Sequence, residues 1–495
     1  MQVQNDNPPP DVPLDAETAA RNRLVIAILL ISTFTVFLNE TIMSVALPRL
    51  MEDLQVSAGA AQWLTTAFLL TMAIVIPITG FLLQRMNTRP VFLIAMSLFS
   101  VGTLISAISP GLELLVLGRV IQASGTAVMM PLMMTTVMSL VPPSSRGKTM
   151  GNISIVMSVA PAVGPTIGGF ILDTLDWRWM FWLVLPIALG AMLLGYLRMK
   201  NVSEPRYAPL DIVSVGLSAI GFGGIVYGLS QMGEHAGEGT VPAWIPLVVG
   251  LATLAVFVYR QTILQRDDKA LLDLRTFLRK TFTVSVVMMA ISMMALFGAI
   301  ILLPIYMQNV LGMTTLQSGL LTLPGGLLMG LLAPFIGRLY DRYGPTVLLV
   351  PGSIVVSAVL WFLTTLGVET PVPVLLVAHV ALCGGLAMMF TPLFTASLGS
   401  LPPQLYSHGS AVVGTIQQVA GAAGVALFVA LMSMQAGAMM ANGASEVAAV
   451  SGGIRLAFLV GATISLFAII AAFFIKKPEP PQFGGEGEPA FAGGH

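Results

Sequence analysis

Charged residues are scarce in this sequence. Only 9% of the 495 residues are charged and 56% are hydrophobic, whereas an ordinary soluble domain carries about 25% charged residues. So few charges could not keep the surface of a soluble protein of this size hydrated. Apolar runs of about 20 residues recur along the chain, and a helix of that length crosses a hydrocarbon layer about 30 Å thick. The composition therefore predicts a polytopic membrane protein.

Several other signals are missing. The one cysteine, Cys383, cannot form an intrachain disulfide. The net charge is zero and the basic residues are dispersed, so nothing predicts a nucleic-acid partner. The glycine-rich stretches lack the lysine of a P-loop, and no metal-binding or nucleophile motif occurs. We therefore expect a protein that is not an enzyme, holds no cofactor, metal or nucleotide, and takes its energy from an ion gradient.

The distribution of basic residues predicts the topology. Breaking the apolar runs at charges, proline and glycine gives fourteen predicted spans, the first at 24–47. All but four of the 23 Lys and Arg residues then fall on the side of the N terminus, the four being Arg49, Arg119, Arg178 and Arg455. Short cytoplasmic loops collect such residues. Both termini are therefore expected in the cytoplasm, with the chain crossing an inner membrane or plasma membrane.

Internal similarity predicts how the spans are grouped. GFLLQRMNTRPV, from Gly80, resembles GRLYDRYGPTV, from Gly337, and the fourth span matches the twelfth with Val120 opposite Val380. Repeated halves are the usual plan of secondary transporters. The predicted all-α architecture has an N-terminal tail (1–23), a six-helix half (24–200), an inserted helix hairpin (201–265), a second six-helix half (266–477) and a disordered tail (478–495). LLDLRTFLRKTF (271–282) is expected to form an interfacial helix before the ninth span.

Four motifs carry a resemblance to a known family. They are LNETIMSVALP (38–48), GRVIQASGTA (118–127), APAVGPTIGG (160–169) and GRLYDRYG (337–344). Together they resemble the first-helix, fourth-helix, fifth-helix and loop motifs of the major facilitator superfamily, and within it the fourteen-helix drug:H+ antiporters of the EmrB/QacA type. The resemblance covers the chain from Arg23 to Lys477.

The resemblance implies a function. Such a protein exports amphiphilic, often cationic small molecules in exchange for protons, by rocking two halves about a site near the membrane midplane. Two alternatives stay open: an exporter of one endogenous metabolite, lipid or siderophore-like compound, and a receptor or scaffold that transports nothing. The expected partners are a drug-like substrate, the proton and the lipid bilayer. In a Gram-negative host they would include a periplasmic adaptor and an outer-membrane channel.

The first motif contains the candidate proton carrier. The acidic position of the family motif falls on Asn39, and Glu40 follows it. Thr33, Glu40 and Ser44 share one helical stripe, which we expect to face the bundle interior about two-thirds of the way across the first span. A carboxyl group in a low dielectric binds a proton more readily than in water. We therefore predict that Glu40 carries the proton, the alternatives being a structural hydrogen-bonding role or a hydrated position near the external interface.

Arg119 is the one basic residue inside a predicted span. Ionisable residues inside the membrane are rare and mark functional sites. Family resemblance implies a proton-relay role for Arg119, and the alternative is a clamp between helices. Polar and methionine side chains are predicted to line the substrate cavity, because flexible methionine accepts many ligand shapes and otherwise fills a core. The predicted cavity residues are Asn39, Thr33, Gln122, Gln417, Gln418, Met129 and Met293.

Two further motifs predict conformational roles. In GPTIGG, small residues allow close helix approach and proline permits a kink, which suits an interface that seals and reopens. The residues concerned are Gly164, Pro165, Gly168 and Gly169. In the loop motifs, Asp341 is expected to form a locking charge cluster with Arg338 and Arg342, while the first copy has Gln84 in place of the acid. The predicted conformational residues of these loops are Gly80, Arg85, Gly337, Asp341 and Arg342.

Overall fold

The computed structural model describes residues 16–43, 46–202, 205, 210–233 and 242–477. The predicted C-terminal tail, residues 1–15 of the predicted N-terminal tail, and Ser44 of the predicted stripe lie outside these residues. All regular structure in the described part of the chain is helical.

Fifteen α-helices follow one another along the described chain. The first eight are α1 (Ala16–Met43), α2 (Leu47–Leu54), α3 (Ala58–Arg85), α4 (Thr88–Ala107), α5 (Leu112–Leu140), α6 (Arg146–Thr174), α7 (Trp179–Arg198) and α8 (Ile212–Gly233). The others are α9 (Trp244–Leu264), α10 (Lys280–Asn309), α11 (Thr315–Tyr343), α12 (Thr346–Leu363), α13 (Val372–Gly399), α14 (Tyr406–Ala441) and α15 (Glu446–Ala472).

The predicted number of spans is confirmed. Fourteen of the described helices are long and apolar enough to cross a membrane. The extra helix is α2, which the sequence did not predict because its apolar residues prolong the first run. Pro48 occupies its first turn, where a missing N–H is tolerated. Arg49 forms ion pairs with Glu52 and Asp53 on the exposed face, and Leu50 is fully buried on the other.

Two long seams join the predicted halves, with α6 against α11 and α3 against α14. The first is very close, because a methyl group added at Gly337 would overlap the backbone carbonyl of Gly147. Small residues of this kind let helix backbones approach each other within a membrane, where packing contributes strongly to association. Glycine at these positions therefore permits the seam rather than marking a flexible point.

The hairpin of α8 and α9 lies beside the second seam, where α8 contacts both α3 and α14. The rings of Trp63 and Tyr227 stack with centroids 6.0 Å apart and join α3 to α8. Beyond α9, residues 265–279 form a linker to α10. The interfacial helix expected there is present only as a five-residue 3-10 helix, Leu274–Leu278, so the amphipathic pattern overestimated its length.

Hydrogen bonds gather several helix termini at one end of the bundle. Lys477, after α15, donates to the Asp341 carbonyl at the end of α11, with 2.8 Å between nitrogen and oxygen. The Gln84 amide, near the end of α3, donates to the Gln404 carbonyl just before α14. We call this the basic end, because Arg85, Lys148 and Lys477 lie there.

Close packing inside the first half gives a testable expectation. A methyl group at Gly125 would collide with the backbone of α4, including the nitrogen of Phe99 at 2.7 Å, whereas one at Gly190 meets nothing within 4 Å. We expect Gly125→Ala to lower the free energy of unfolding by about 1–3 kcal/mol, and the matched change Gly190→Ala by less than about 0.5 kcal/mol. Thermal unfolding of the purified protein in detergent measures both; equal losses would contradict this packing.

Candidate functional site

The first-helix motif places three consecutive polar residues near the end of α1. Successive residues of an α-helix are rotated by about 100°, so Asn39, Glu40 and Thr41 point in three directions. Asn39 faces α5, where it contacts Arg119, and Thr41 faces α6, where its hydroxyl donates to the Ala160 carbonyl at 3.1 Å. Glu40 lies one turn before the end of α1 at Met43, nearer the helix end than expected.

Arg119 is buried and held by three side chains. Its Nη1 donates to Asn39 Oδ1 at 3.2 Å and to Gln122 Oε1 at 2.6 Å. Its guanidinium carbon lies 4.0 Å from the centroid of the Phe68 ring, an arrangement in which the ring face attracts the cation. These partners are neutral, so they solvate the positive charge without neutralising it.

The network continues from Gln122 into α4. Gln122 Nε2 donates to Thr103 Oγ1 at 2.7 Å, and that hydroxyl donates to the Phe99 carbonyl, also at 2.7 Å. A buried amide with both ends bonded has one orientation only. Three predicted residues, Asn39, Arg119 and Gln122, are thus brought together. The sequence did not single out Phe68 and Thr103, since nothing distinguishes them from other aromatic and threonine residues in spans.

Glu40 is half-buried, and its Oε2 atom is shielded from solvent without a hydrogen-bond partner. Glu40 and Arg119 attract each other electrostatically, but the ion pairs within 4 Å that occur among the described residues do not include this pair. Burying an ionised oxygen without a partner is costly. This arrangement favours a carboxyl group that takes up a proton or a cationic ligand.

The other predicted cavity residues are distributed unevenly. Thr33 is buried, with its hydroxyl unpartnered. Met129 and Met293 lie in the hydrophobic core, with 0% and 5% of their surfaces exposed, so in this conformation they fill space between helices. Gln417 and Gln418 are half-buried on α14. The role of these residues in binding stays a prediction.

The GPTIGG motif faces α1 rather than the other half. A methyl group at Gly164 would overlap the side chain of Thr41, and one at Gly168 would lie 3.0 Å from the Ile42 carbonyl oxygen. Gly169 has open space beside it, and Pro165 lies within α6, where its backbone alone is described. The motif therefore sets the distance between α6 and the helix that carries Glu40.

Asp341 binds the start of α6 at the basic end and not the arginines expected. Its two carboxylate oxygens accept hydrogen bonds from the backbone N–H groups of Gly147 and Lys148, each at 2.8 Å. These groups belong to the first turn of α6, and the positive end of a helix favours an anion. Arg338 and Arg342 instead stack over the rings of Phe335 and Tyr343. The predicted charge cluster is therefore wrong in its partners.

The first-half copy of the loop motif makes a weaker contact. Gln84 Nε2 donates to the Gln404 carbonyl at 3.4 Å, so an amide replaces the carboxylate. Arg85 stacks over Phe81, with 5.9 Å between its guanidinium carbon and the ring centroid. A methyl group at Gly80 would be in tight contact with α14. The two loop motifs thus occupy equivalent places with different chemistry.

Hydroxyl pairs close the space between the halves near the basic end. Thr135 donates to Ser410 at 3.1 Å, and Thr391 donates to Ser154 at 2.9 Å. Each pair joins one predicted half to the other. Glu40, near the end of α1, and Arg119, near the start of α5, lie away from the basic end. In this conformation the two hydroxyl pairs hold the halves together at the basic end, so this end is closed.

Gln122 gives a stability prediction. In Gln122→Leu, Arg119 loses an acceptor and Thr103 loses a donor, so we expect the free energy of unfolding to fall by about 1–3 kcal/mol. Gln418→Leu, at a half-buried position on α14, is the matched control and should change it by less than about 0.5 kcal/mol. Thermal unfolding in detergent compares the two, and a larger loss in the control would show that the network is not stabilising.

No group of three or more potential metal-ligating His, Cys, Asp or Glu side chains occurs among the described residues.

Two solved structures share the fold. The human organic anion transporter MFSD10 superposes with a TM-score of 0.62 at 14% identity, covering 91% of this chain and 99% of that one. The proton:xylose symporter XylE gives 0.61 at 15% identity, covering 91% and 96%.

Sequence relatives are closer. The lincomycin resistance protein LmrB of Listeria monocytogenes is 42% identical over 458 residues, which are 92% of this chain and 96% of that protein. LmrB of Bacillus subtilis is 37% identical over 456 residues, 91% and 95% of the two chains. A family model described as Major Facilitator Superfamily matches residues 29–425. The predicted fold class is confirmed, and the chain belongs to the Major Facilitator Superfamily of transporters.

Proposed function

We propose that this protein is a proton-coupled antiporter that exports amphiphilic, often cationic small molecules, with lincosamide-like drugs among them. The names of the LmrB relatives support the substrate class, since they describe lincomycin resistance. The observation that carries the coupling is the unpartnered Oε2 atom of Glu40, whose carboxyl group interacts electrostatically with Arg119. Export of one endogenous metabolite is the alternative, and the relatives' names favour the drug.

Glu40 would exchange one cation for another. Arg119 already has partners in Asn39 and Gln122, so Glu40 is not committed to it. A proton and a substrate ammonium group each neutralise a carboxylate, and their binding is mutually exclusive. Arg119 disfavours a second positive charge nearby, so release of the drug and uptake of the proton alternate at one group.

Alternating access would act on the contacts at the basic end. Basic residues collect in cytoplasmic loops, so we place the basic end and both termini in the cytoplasm. The conformation described above is then closed towards the cytoplasm. To admit substrate from that side, the protein must separate Asp341 from the start of α6, and Thr135 from Ser410. An exporter in a bacterial inner or plasma membrane would cycle between these states.

The test is transport by the purified protein in proteoliposomes. Vesicles with an imposed pH gradient are given lincomycin, and drug movement against its own gradient is followed with and without a proton uncoupler. Uphill movement that the uncoupler abolishes supports antiport. If neither lincomycin nor any of a panel of amphiphilic cations shows gradient-driven flux, the proposal is ruled out. The hypothesis of a receptor or scaffold would then remain.

Glu40→Gln removes the proposed proton carrier while keeping a side chain of similar size. We expect gradient-driven accumulation to fall at least about tenfold, because the neutral amide binds neither proton nor drug cation with charge. Proton release on drug addition should disappear as well. Accumulation that stays at the wild-type level in Glu40→Gln would show that another group carries the proton.

The double variant Asn39→Asp, Glu40→Gln tests whether the carboxylate must occupy position 40. An acid at 39 would contact Arg119 directly, because Asn39 Oδ1 already lies 3.2 Å from its Nη1. We expect an ion pair that holds its proton poorly and restores less than about a tenth of wild-type flux. Full recovery would mean that either position serves as carrier. Fluorescence-detected gel filtration checks that all variants are folded.

A further inference from the structure

The two seams between the halves are closed by different groups. In the repeat, Asp341 corresponds to Gln84, and Lys148, whose backbone N–H binds Asp341, corresponds to His408. The seam of α6 and α11 thus has a carboxylate on a helix N-terminus. At the same place, the seam of α3 and α14 has a neutral amide and a histidine. The difference leaves a histidine, His408, where the first seam has Lys148.

His408 is wedged between three parts of the molecule. It belongs to the first turn of α14 and is 5% exposed. Its ring hydrogen-bonds to the backbone of Leu271 in the linker of residues 265–279. Its Nδ1 atom is buried without a partner, and a methyl group at Gly80 of α3 would lie 3.3 Å from that atom. The ring therefore fills the contact between α14, α3 and the linker.

Charged side chains of the linker act on His408. The linker presents Asp273, Asp268 and Arg275, and Arg275 forms an ion pair with each of the two acids. Hydrogen bonds to Asp273 and Asp268 raise the pKa of Arg275. On α14 itself, the Tyr406 ring lies under the guanidinium of Arg146 at 5.5 Å. From α3, Gly80 lies against the ring, and the neutral Gln84 donates to the Gln404 carbonyl just before α14.

A second charged pair, Asp211 and Arg260, is connected to the linker by hydrogen bonds. Gln261 of α9 accepts from the Leu271 and Leu272 N–H groups and donates to Ser214, which donates to Asp211. Hydrogen bonds from Arg260 hold the pKa of the Asp211 carboxyl at about 2. These hydrogen bonds tie the linker to the hairpin. The Asp211–Arg260 pair at their end stays charged between pH 5 and 8. Within the described surroundings of this seam, histidine is the group with an ordinary titration range near neutrality.

We propose that His408 is a proton-binding site that controls the seam between α3 and α14. The neutral ring is compatible with the closed seam. It has a single N–H, which needs one acceptor, and the ring hydrogen-bonds to the backbone of Leu271. A proton on Nδ1 would create a buried donor facing Gly80, where no acceptor is found. It would also place a positive charge in the first turn of α14, where the helix dipole disfavours cations. Protonation from the basic end therefore opens this seam.

The site is separate from the proposed carrier. Glu40 lies towards the other end of the bundle, so the opening at His408 does not depend on antiport being correct. The linked acids Asp268 and Asp273 exceed Arg275 by one charge, which attracts a proton once water enters the opened seam. The open form binds the proton more tightly than the closed form, and this difference is what shifts the equilibrium.

Distance measurements across the basic end test the proposal. Spin labels are placed on the full-length protein in nanodiscs at Ser144→Cys and Gln404→Cys, which are exposed and equivalent in the two halves, in a Cys383→Ala background. We expect the ratio of the long-distance to the short-distance population to rise on acidification from pH 8 to 5, by up to about tenfold per pH unit for one proton. A ratio independent of pH would overturn the proposal.

Three variants assign the response. His408→Gln should keep the short distance at every pH, and His408→Lys should favour the long distance throughout. His379→Gln, another buried histidine of the same half, is the matched control and should retain the wild-type response. A response that persists in His408→Gln, or disappears in His379→Gln alone, contradicts the assignment.

A further variant covers the case in which His408→Gln does not fold. Gly80→Ala crowds Nδ1 from the α3 side and should raise the long-distance population at every pH while leaving the pH response present. An unchanged population would show that the ring does not hold this seam.

Discussion

The burial of one arginine constrains the arrangement of the first half. Arg119 takes its partners from α1, α3 and its own helix, through Asn39, Phe68 and Gln122. An uncompensated charge in such a place costs several kcal/mol, so these three helices have little freedom to rotate. Glu40 follows Asn39 and is turned away from it by about 100°. The position of the proposed proton carrier thus follows from the way in which the arginine is solvated.

The sequence predicted what depends on local patterns. Fourteen spans follow from the length and apolarity of each run, and the repeat follows from residues of one half that match residues of the other. The partners of Asp341 were not predictable, because backbone N–H groups at the start of α6 have no signature in sequence. Met129 and Met293 were predicted to line a cavity. Methionine suits cavities and cores alike, so the sequence could not show that both side chains lie in the core in this conformation. The helix expected in the linker was wrong in length, because an amphipathic pattern fits a short 3-10 helix as well as an α-helix.

The two seams illustrate how a repeated fold can diverge in chemistry while keeping its geometry. Asp341 accepts hydrogen bonds from two backbone N–H groups, whereas the His408 ring is buried with its Nδ1 atom unpartnered. A proton would weaken both contacts, by removing an acceptor in one case and adding an unpaired donor in the other. Residues of opposite type, one in each of the two corresponding seams, therefore give the same direction of response. The halves need no sequence symmetry at these positions for the basic end to open as one unit.

Helix α6 connects the proposed proton carrier to the basic end. Its middle contacts α1 through Thr41 and Gly164, next to Glu40, and its first turn holds Asp341 of the other half. A helix is stiff along its axis, so a shift of α1 against α6 changes the position of that first turn. Because tightly packed interfaces have discrete arrangements, a small displacement beside Glu40 is enough to favour one arrangement of the seam over another. The small residues of GPTIGG matter for this reason: they keep α6 in direct contact with the helix that holds the proposed proton carrier.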